Sequence, residues 1–219
     1  MIFVVLDGVG DEPIPALDNK TPLEAAQTPN MDNLARQGIC GLLKVDFSGA
    51  LPTSEEGHLN LFGYDADDLG IARGFFTAQG AGIKTKEGDI ALRGNFATLD
   101  EKGGVIDRRA GRIKTKKANK LIHSLRKIKV RGARFLLKSA TDHRLGIVIR
   151  GEALSPAVSD SDPFYSDLSR ELVKVKPLDQ SSEAQNTARI LNTFLQKARD
   201  ILKNHALNEK RKKKGLPPA

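Results

Sequence analysis

The chain has 219 residues, enough for one large domain or two small ones with a substantial core. Its 39% hydrophobic and 28% charged content belong to a globular protein, and no apolar run approaches the roughly 20 residues that span a bilayer, so no membrane role is expected. The net charge of +8 points to anionic partners, but aromatics make up only 5%, too few for the stacking surface of a nucleic-acid module, and a small anionic substrate fits better.

The opening MIFVVLDG lacks the basic region and cleavage site of a signal peptide and reads as a strand. Residues 2–6 are all apolar, the pattern of a parallel strand buried on both faces, and Asp7 follows at the carboxyl end, where such sheets bind ligands. A turn made by Asp7 with Gly8 and Gly10 is the alternative. Thr21, Pro22 and Glu24 form a capped helix start. A second start at Thr28 and Pro29 predicts a helix that buries Met31, Leu34 and Ala35 and ends at Gly38 in a left-handed cap. Cys40 is the single cysteine, in the apolar setting GICGLL, which reads as a packed thiol in a reducing cytoplasm with no disulfide framework. GLLKV at 41–45 predicts the next strand, completing a right-handed parallel unit.

The segment LPTSEEGHLNLFGYD at 51–65 holds a second capping box, Thr53 with Glu56, and places Ser54 first in the helix. A serine there is either a plain first-turn residue or a hydroxyl held where helix amides stabilise a phosphate dianion. On these residues alone the cap is favoured.

From Arg73 the texture changes. Short alternating segments at 89–99, 104–107, 134–138 and 146–150 predict strands, and 115–127 predicts a basic helix with Leu121, Ile122 and Leu125 on one side. Past Lys176 a long helix is expected, opened by a Ser182 and Gln185 pair and carrying Ala184, Ala188, Leu191, Leu195, Ala198 and Leu202 as a core-facing stripe. Its tail, KRKKK at 210–214, reads as a solvated end. The expected organisation is a first part at 1–72, an inserted α+β domain at 73–176, and a return to the first part at 177–219 with a thin core of two or three strands.

With these pieces placed, the chain resembles the archaeal-type 2,3-bisphosphoglycerate-independent phosphoglycerate mutases of the alkaline-phosphatase superfamily. The resemblance rests on ordered blocks through nearly the whole chain: FVVLDGVGDEPIPALDNKTPLEAAQTPNMDNLARQG, SEEGHLNLFGYD, ARGFFTAQGAGI, RGNFATLD, DRRAGRI, TDHRLGIVIRG, VSDSDP, KVKPLD and KRKKKGLPPA. It implies an α/β fold with part of an alkaline-phosphatase-like parallel sheet core and an inserted α+β domain. It makes Ser54 the nucleophile of a phosphoserine intermediate that interconverts 3-phosphoglycerate and 2-phosphoglycerate in glycolysis. Asp7 becomes a ligand to one of two divalent metals, manganese, magnesium or zinc, with Ser54 on the same centre.

The inserted domain then supplies the anion clamp: Arg108, Arg109 and Arg112 for forked contacts with phosphate and carboxylate, and Asp107 to orient one of them or a substrate hydroxyl. His143 and Arg144 are the next candidates, and His58, one helical turn after Ser54, is a possible phosphate contact or a structural hydrogen bonder. Read without the resemblance, DRRAGR is a solvated turn and His143 with Arg144 a surface pair. Asp160 and Asp162 are expected at a turn or between domains, and His123 and His205 as structural.

Three departures qualify what the resemblance implies. Members of the family are about twice as long and carry their remaining metal ligands in the second half. Gly94 stands where a cysteine is expected, and SEEGHLNLFGYD replaces SDTAHLSILGYD. The chain alone is therefore expected to be inactive unless a complementing C-terminal half or an oligomeric partner completes the site. Competing readings are a related phosphotransferase of the homoserine-kinase-like type, sharing the LDG and TPLEAA blocks, and a non-catalytic anion-binding remnant.

Overall fold

The computed structural model describes residues 2–6, 8–43, 54–69, 72–163 and 173–219. It divides into two units, Met1–Leu61 and Phe62–Ala219. No described helix is long and apolar enough to cross a membrane.

The first unit holds α1 (Pro22–Ala25), α2 (Pro29–Gln37) and α3 (Ser54–Leu61). The cap before α1 forms as expected: Glu24 N donates to Thr21 Oγ1 at 3.2 Å, and Thr21 N donates to Glu24 Oε2 at 2.8 Å. That backbone bond, with a second from the Thr21 side chain, holds the Glu24 carboxyl below its usual range. Before α2, Thr28 departs from its expected role, because its hydroxyl donates to Asp32 Oδ1 and caps no amide. Gly38 does end α2, but in extended backbone (φ −105°, ψ −173°).

No described residue of this unit is buried. Met31, Leu34 and Ala35 are exposed, and Cys40 is exposed with its thiol donating weakly to Ala35 O. The parallel strand expected at 2–6 does not form. A strand of that kind needs ladder partners on both sides and cover on both faces, and Ile2 and Val4 are 90% and 73% exposed. Of the strand expected at 41–45, residues 41–43 carry no ladder and the rest lies outside the described residues, as does the Thr53 cap.

The second unit is a layered helix and sheet body. It contains α4 (Ala66–Leu69), α5 (Arg73–Gly80), β1 (Ile90–Asn95), β2 (Thr98–Leu99), β3 (Val105–Asp107), α6 (Thr115–Leu125), β4 (Ala133–Ser139), β5 (Arg144–Gly151), α7 (Ser182–Lys203) and α8 (Ala206–Lys212). The main sheet runs β1-β5-β4 with both pairs antiparallel, and β2 and β3 form a separate antiparallel ribbon. The strand segments read from alternation all appear within a few residues of their expected bounds.

Central strand β5 is buried on both faces, and its period of two sorts the core. Leu145, Ile147 and Ile149 join Leu121, Ile122 and Leu125 of α6 and Ala188, Ile190, Leu191 and Phe194 of α7. Val148 points to the opposite face, where Ala78 and Ile83 meet it under α5. Helix α5 lies so close to β1 that a Cβ on Gly74 would sit 2.1 Å from the Ala91 carbonyl oxygen, so only glycine fits there.

Helix α7 begins one residue earlier than a Ser182 cap requires: Ser181 is the N-cap, its Oγ accepting from Ala184 N at 3.1 Å. It lies in this unit, where Phe194 stacks on Phe135 of β4 with ring centroids 4.1 Å apart. Asp89, its side chain 2% exposed, accepts both Nε and Nη2 of Arg150 at 2.8 and 2.7 Å, tying the approach to β1 to the end of β5.

Candidate functional site

The two units contain different parts of the expected site. In the first, Ser54 opens α3 as the sequence predicts, and His58 follows one turn later, exposed. The side chain of Ser54, and Asp7 altogether, lie outside the described residues. Among the described residues no group of three or more His, Cys, Asp or Glu side chains could hold a metal ion. Those residues therefore do not make a metal centre by themselves.

In the second unit the sequence DRRAGR forms a tight turn at the end of β3. Asp107, the last residue of β3 and the register partner of Thr98, folds its carboxylate back over the turn. Its Oδ1 accepts from Arg109 N at 2.7 Å and its Oδ2 from Gly111 N at 2.6 Å. An aspartate that captures amides two and four residues ahead replaces strand pairing with a local turn. Asp107 thus shapes the backbone beneath the arginines; both its oxygens are engaged in doing so.

The turn holds three successive residues in the left-handed region: Ala110 (φ 45°), Gly111 (φ 60°) and Arg112 (φ 49°). Each non-glycine residue there costs about 1–2 kcal/mol, so the surroundings must hold the conformation in place. Ala110 is fully buried, whereas Arg109 and Arg112 are exposed, their guanidinium groups making no hydrogen bond or ion pair among the described residues. Arg108 is placed differently. Its Nε and Nη2 donate to Asp162 Oδ1 and Oδ2 at 3.0 and 2.6 Å.

The turn before β5 comes next to this loop through the start of α6. Asp142 N donates to Thr115 Oγ1 at 3.0 Å, and Lys114 Nζ lies 3.3 Å from Asp142 Oδ2. There His143 is 8% exposed, and its Nδ1 is buried without a partner among the described residues. Its carbonyl accepts from Phe96 N at 2.8 Å, which seats the residue at the end of β1. The surface pairing expected of His143 and Arg144 is half right: Arg144 is exposed and His143 is not.

Burial is the main reason that the His143 imidazole protonates below its usual range. The charges of Arg144, Arg109 and Arg93 add to it and Asp142 opposes it. The charges that bear on His143 are therefore those of Arg144 and Arg109 from the expected set and that of Arg93, which sequence reasoning missed. Arg93 carries no local signal; it arrives by the register that sets Arg93 opposite Gly146 and Asn95 opposite Arg144. A neutral imidazole with a vacant ring nitrogen inside an arginine field is suited to an anion carrying hydroxyl groups.

Gly94, in the same stretch, has a packing reason. A Cβ there would lie 2.8 Å from Leu145 Cδ2 and 2.9 Å from Ile147 Cδ1, so a cysteine would require both side chains to move.

A family model for 2,3-bisphosphoglycerate-independent phosphoglycerate mutase matches residues 35–208. The chain is 44% identical over its whole length to the enzyme of that name from Ignicoccus hospitalis, covering 53% of that protein, and 44% identical to one from Methanocaldococcus jannaschii, covering 52%. Among solved structures, 98% of the chain superposes on a cofactor-independent phosphoglycerate mutase from Thermoplasma acidophilum with a TM-score of 0.62 and 38% identity, covering 55% of that chain. A protein from Pyrococcus horikoshii gives a TM-score of 0.69 at 32% identity, with 47% of it covered. The chain spans about half the length of the curated relatives it matches.

Proposed function

The chain belongs to the 2,3-bisphosphoglycerate-independent phosphoglycerate mutase family, and we propose that it supplies the nucleophile and the substrate grip for interconverting 3-phosphoglycerate and 2-phosphoglycerate. In this proposal Ser54 Oγ bonds to phosphorus while the bond to the C3 oxygen breaks, and the serine proton ends on that departing oxygen. The C2 hydroxyl then attacks the phosphoserine, the bond to Ser54 breaks, and the C2 hydroxyl proton returns to Ser54 Oγ. A helix start at Ser54 supports this reading, because the free amides of a first helical turn stabilise a dianion.

The observation that carries the proposal is the buried His143 nitrogen, without a partner among the described residues, in the field of Arg144, Arg109 and Arg93. The imidazole pairs with a substrate hydroxyl, and the arginines take the carboxylate and phosphate. Two divalent metals, with Asp7 as one ligand, belong to the proposal only together with further ligands, since the described residues do not hold a metal by themselves. By itself the chain binds phosphoglycerate and does not turn it over.

Titration of the purified chain with 3-phosphoglycerate, followed by amide chemical shifts, tests this. Perturbations confined to residues 93–95, 107–112 and 141–145 are expected, with no conversion to 2-phosphoglycerate in the presence of manganese. Saturation without any change at those positions would sink the proposal.

A further inference from the structure

The loop that carries Arg109 and Arg112 is held from outside by the end of the chain. Arg211, one of five basic residues in the run KRKKK, is only 5% exposed, against the solvated tail expected from the sequence. Its Nη2 donates to the carbonyl of Ala110 at 2.8 Å and its Nε to the carbonyl of Pro217 at 2.7 Å. Burial lowers the guanidinium's affinity for its proton, and the Asp107 carboxylate opposes that.

The segment joined to Arg211 is itself anchored twice more. Thr98 Oγ1 donates to the Pro218 carbonyl, and Thr98 is the residue that Asp107 faces across the β2-β3 ribbon. Asn208 Nδ2 donates to the Ala219 carbonyl while Ala219 N donates back to Asn208 Oδ1 at 3.0 Å. Pro217 completes the enclosure, with its ring carbons 3.3 Å from where a Cβ on Gly111 would stand.

We propose that Arg211 is a positioning residue of the anion clamp: its fork locks the left-handed turn at 110–112 against the 217–219 strap, so that the backbone carrying Arg109 and Arg112 is arranged before the anion arrives. The inference rests on reading that loop as the phosphoglycerate grip. Asp107 holds the turn from inside through two amides, and Arg211 holds it from outside through the carbonyl between them. A turn with two non-glycine residues at positive φ relaxes when one hold is lost, and the clamp then has to be ordered by the ligand itself.

The test is the affinity of the full chain for 3-phosphoglycerate, measured by calorimetry on wild type, Arg211→Lys, Asn208→Ala and Arg109→Ala. Lysine keeps the charge but not the fork, so Arg211→Lys should weaken binding by about tenfold. Asn208→Ala frees the strap at Ala219 without touching Ala110, and should lower the melting temperature while leaving affinity within about twofold. A folded Arg211→Lys with wild-type affinity overturns the positioning role. If that variant does not fold, Arg211→Gln, which keeps one amide donor but not the fork to both carbonyls, decides: unchanged affinity overturns the role and a loss supports it. Should Arg109→Ala weaken binding while Arg211→Lys does not, the clamp stands and the positioning role alone fails. Absence of binding by wild type, or indifference to Arg109→Ala, removes the clamp and the role with it.

Discussion

Arg108 and Asp162, 54 residues apart, close on each other through two parallel hydrogen bonds of 3.0 and 2.6 Å. The three arginines of DRRAGR are therefore not equivalent. Arg108 joins the loop to the 158–163 segment, and an incoming anion would have to compete with a fixed carboxylate for it. In the proposed grip, Arg109 and Arg112 are the groups of this loop that meet the substrate.

Neighbouring arginines should therefore respond differently to removal. Arg109→Ala should lower 3-phosphoglycerate affinity about tenfold through loss of one charge-assisted contact, with little change in stability. Arg108→Ala should cost about 1 kcal/mol of stability for a partly exposed pair and leave affinity nearly intact. Calorimetry and urea unfolding on both variants check this, and equal losses of affinity would refute it.

The buried imidazole predicts a pH dependence. The His143 value lies below its ordinary 6.5 because of burial first and the Arg144, Arg109 and Arg93 charges next. Below 6.5 the unfolded chain takes up this proton before the folded one does. The contribution is thus fully present above 6.5 and is lost as pH falls through the lower folded value. Urea midpoints between pH 8 and 4, about the range that brackets this titration, should fall more steeply for wild type than for His143→Gln. Bound 3-phosphoglycerate should raise the His143 value in an NMR titration, since an anion offsets the arginine field. A histidine titrating above 6.5 without ligand would contradict the site's electrostatics.

Asp89 gives the opposite group with the same direction. Hydrogen bonding from Arg150 holds its carboxyl below 3.8, so its contribution is present above that value and is lost as acid protonates the folded form. Asp89→Asn should destabilise the chain by about 1–3 kcal/mol at neutral pH and by less in acid. An unchanged unfolding midpoint at neutral pH would show the pair to be idle.

In the core, Phe194 is 3% exposed and stacks on Phe135. Phe194→Ala should cost about 3–5 kcal/mol by removing a buried ring from the α7 contact with the sheet. Phe194→Leu, which keeps most of the volume, should recover more than half of that loss in thermal unfolding.

The two units should differ in local stability. Amides of α6 and α7, packed on the sheet, should exchange with deuterium only over hours, whereas those of α1 and α2, with no buried residue, should exchange close to the unprotected rate. Peptide-resolved exchange on the whole chain measures both at once. Equal protection in α2 and α6 would mean that the exposed apolar residues of the first unit are covered in solution.

What the sequence determined by itself was local. The Thr21 and Glu24 box, α3 starting at Ser54, the apolar side of α6 and the alternating strands of the second unit are each encoded within a few residues, by caps and by periods of 3.6 and 2. The ordered blocks also carried the family. Only the tertiary structure decided how the charged residues are placed. The register of β1 on β5 brings the Arg93 charge to bear on His143, Arg108 pairs with Asp162, and Arg211 leaves the basic tail to brace Ala110. These pairings join residues 50, 54 and 101 positions apart along the chain, and a local pattern holds no record of them. The same reason explains the apolar run at 2–6: its composition suits a buried parallel strand, but a strand exists only where a ladder partner is supplied, and hydrophobicity alone does not supply one.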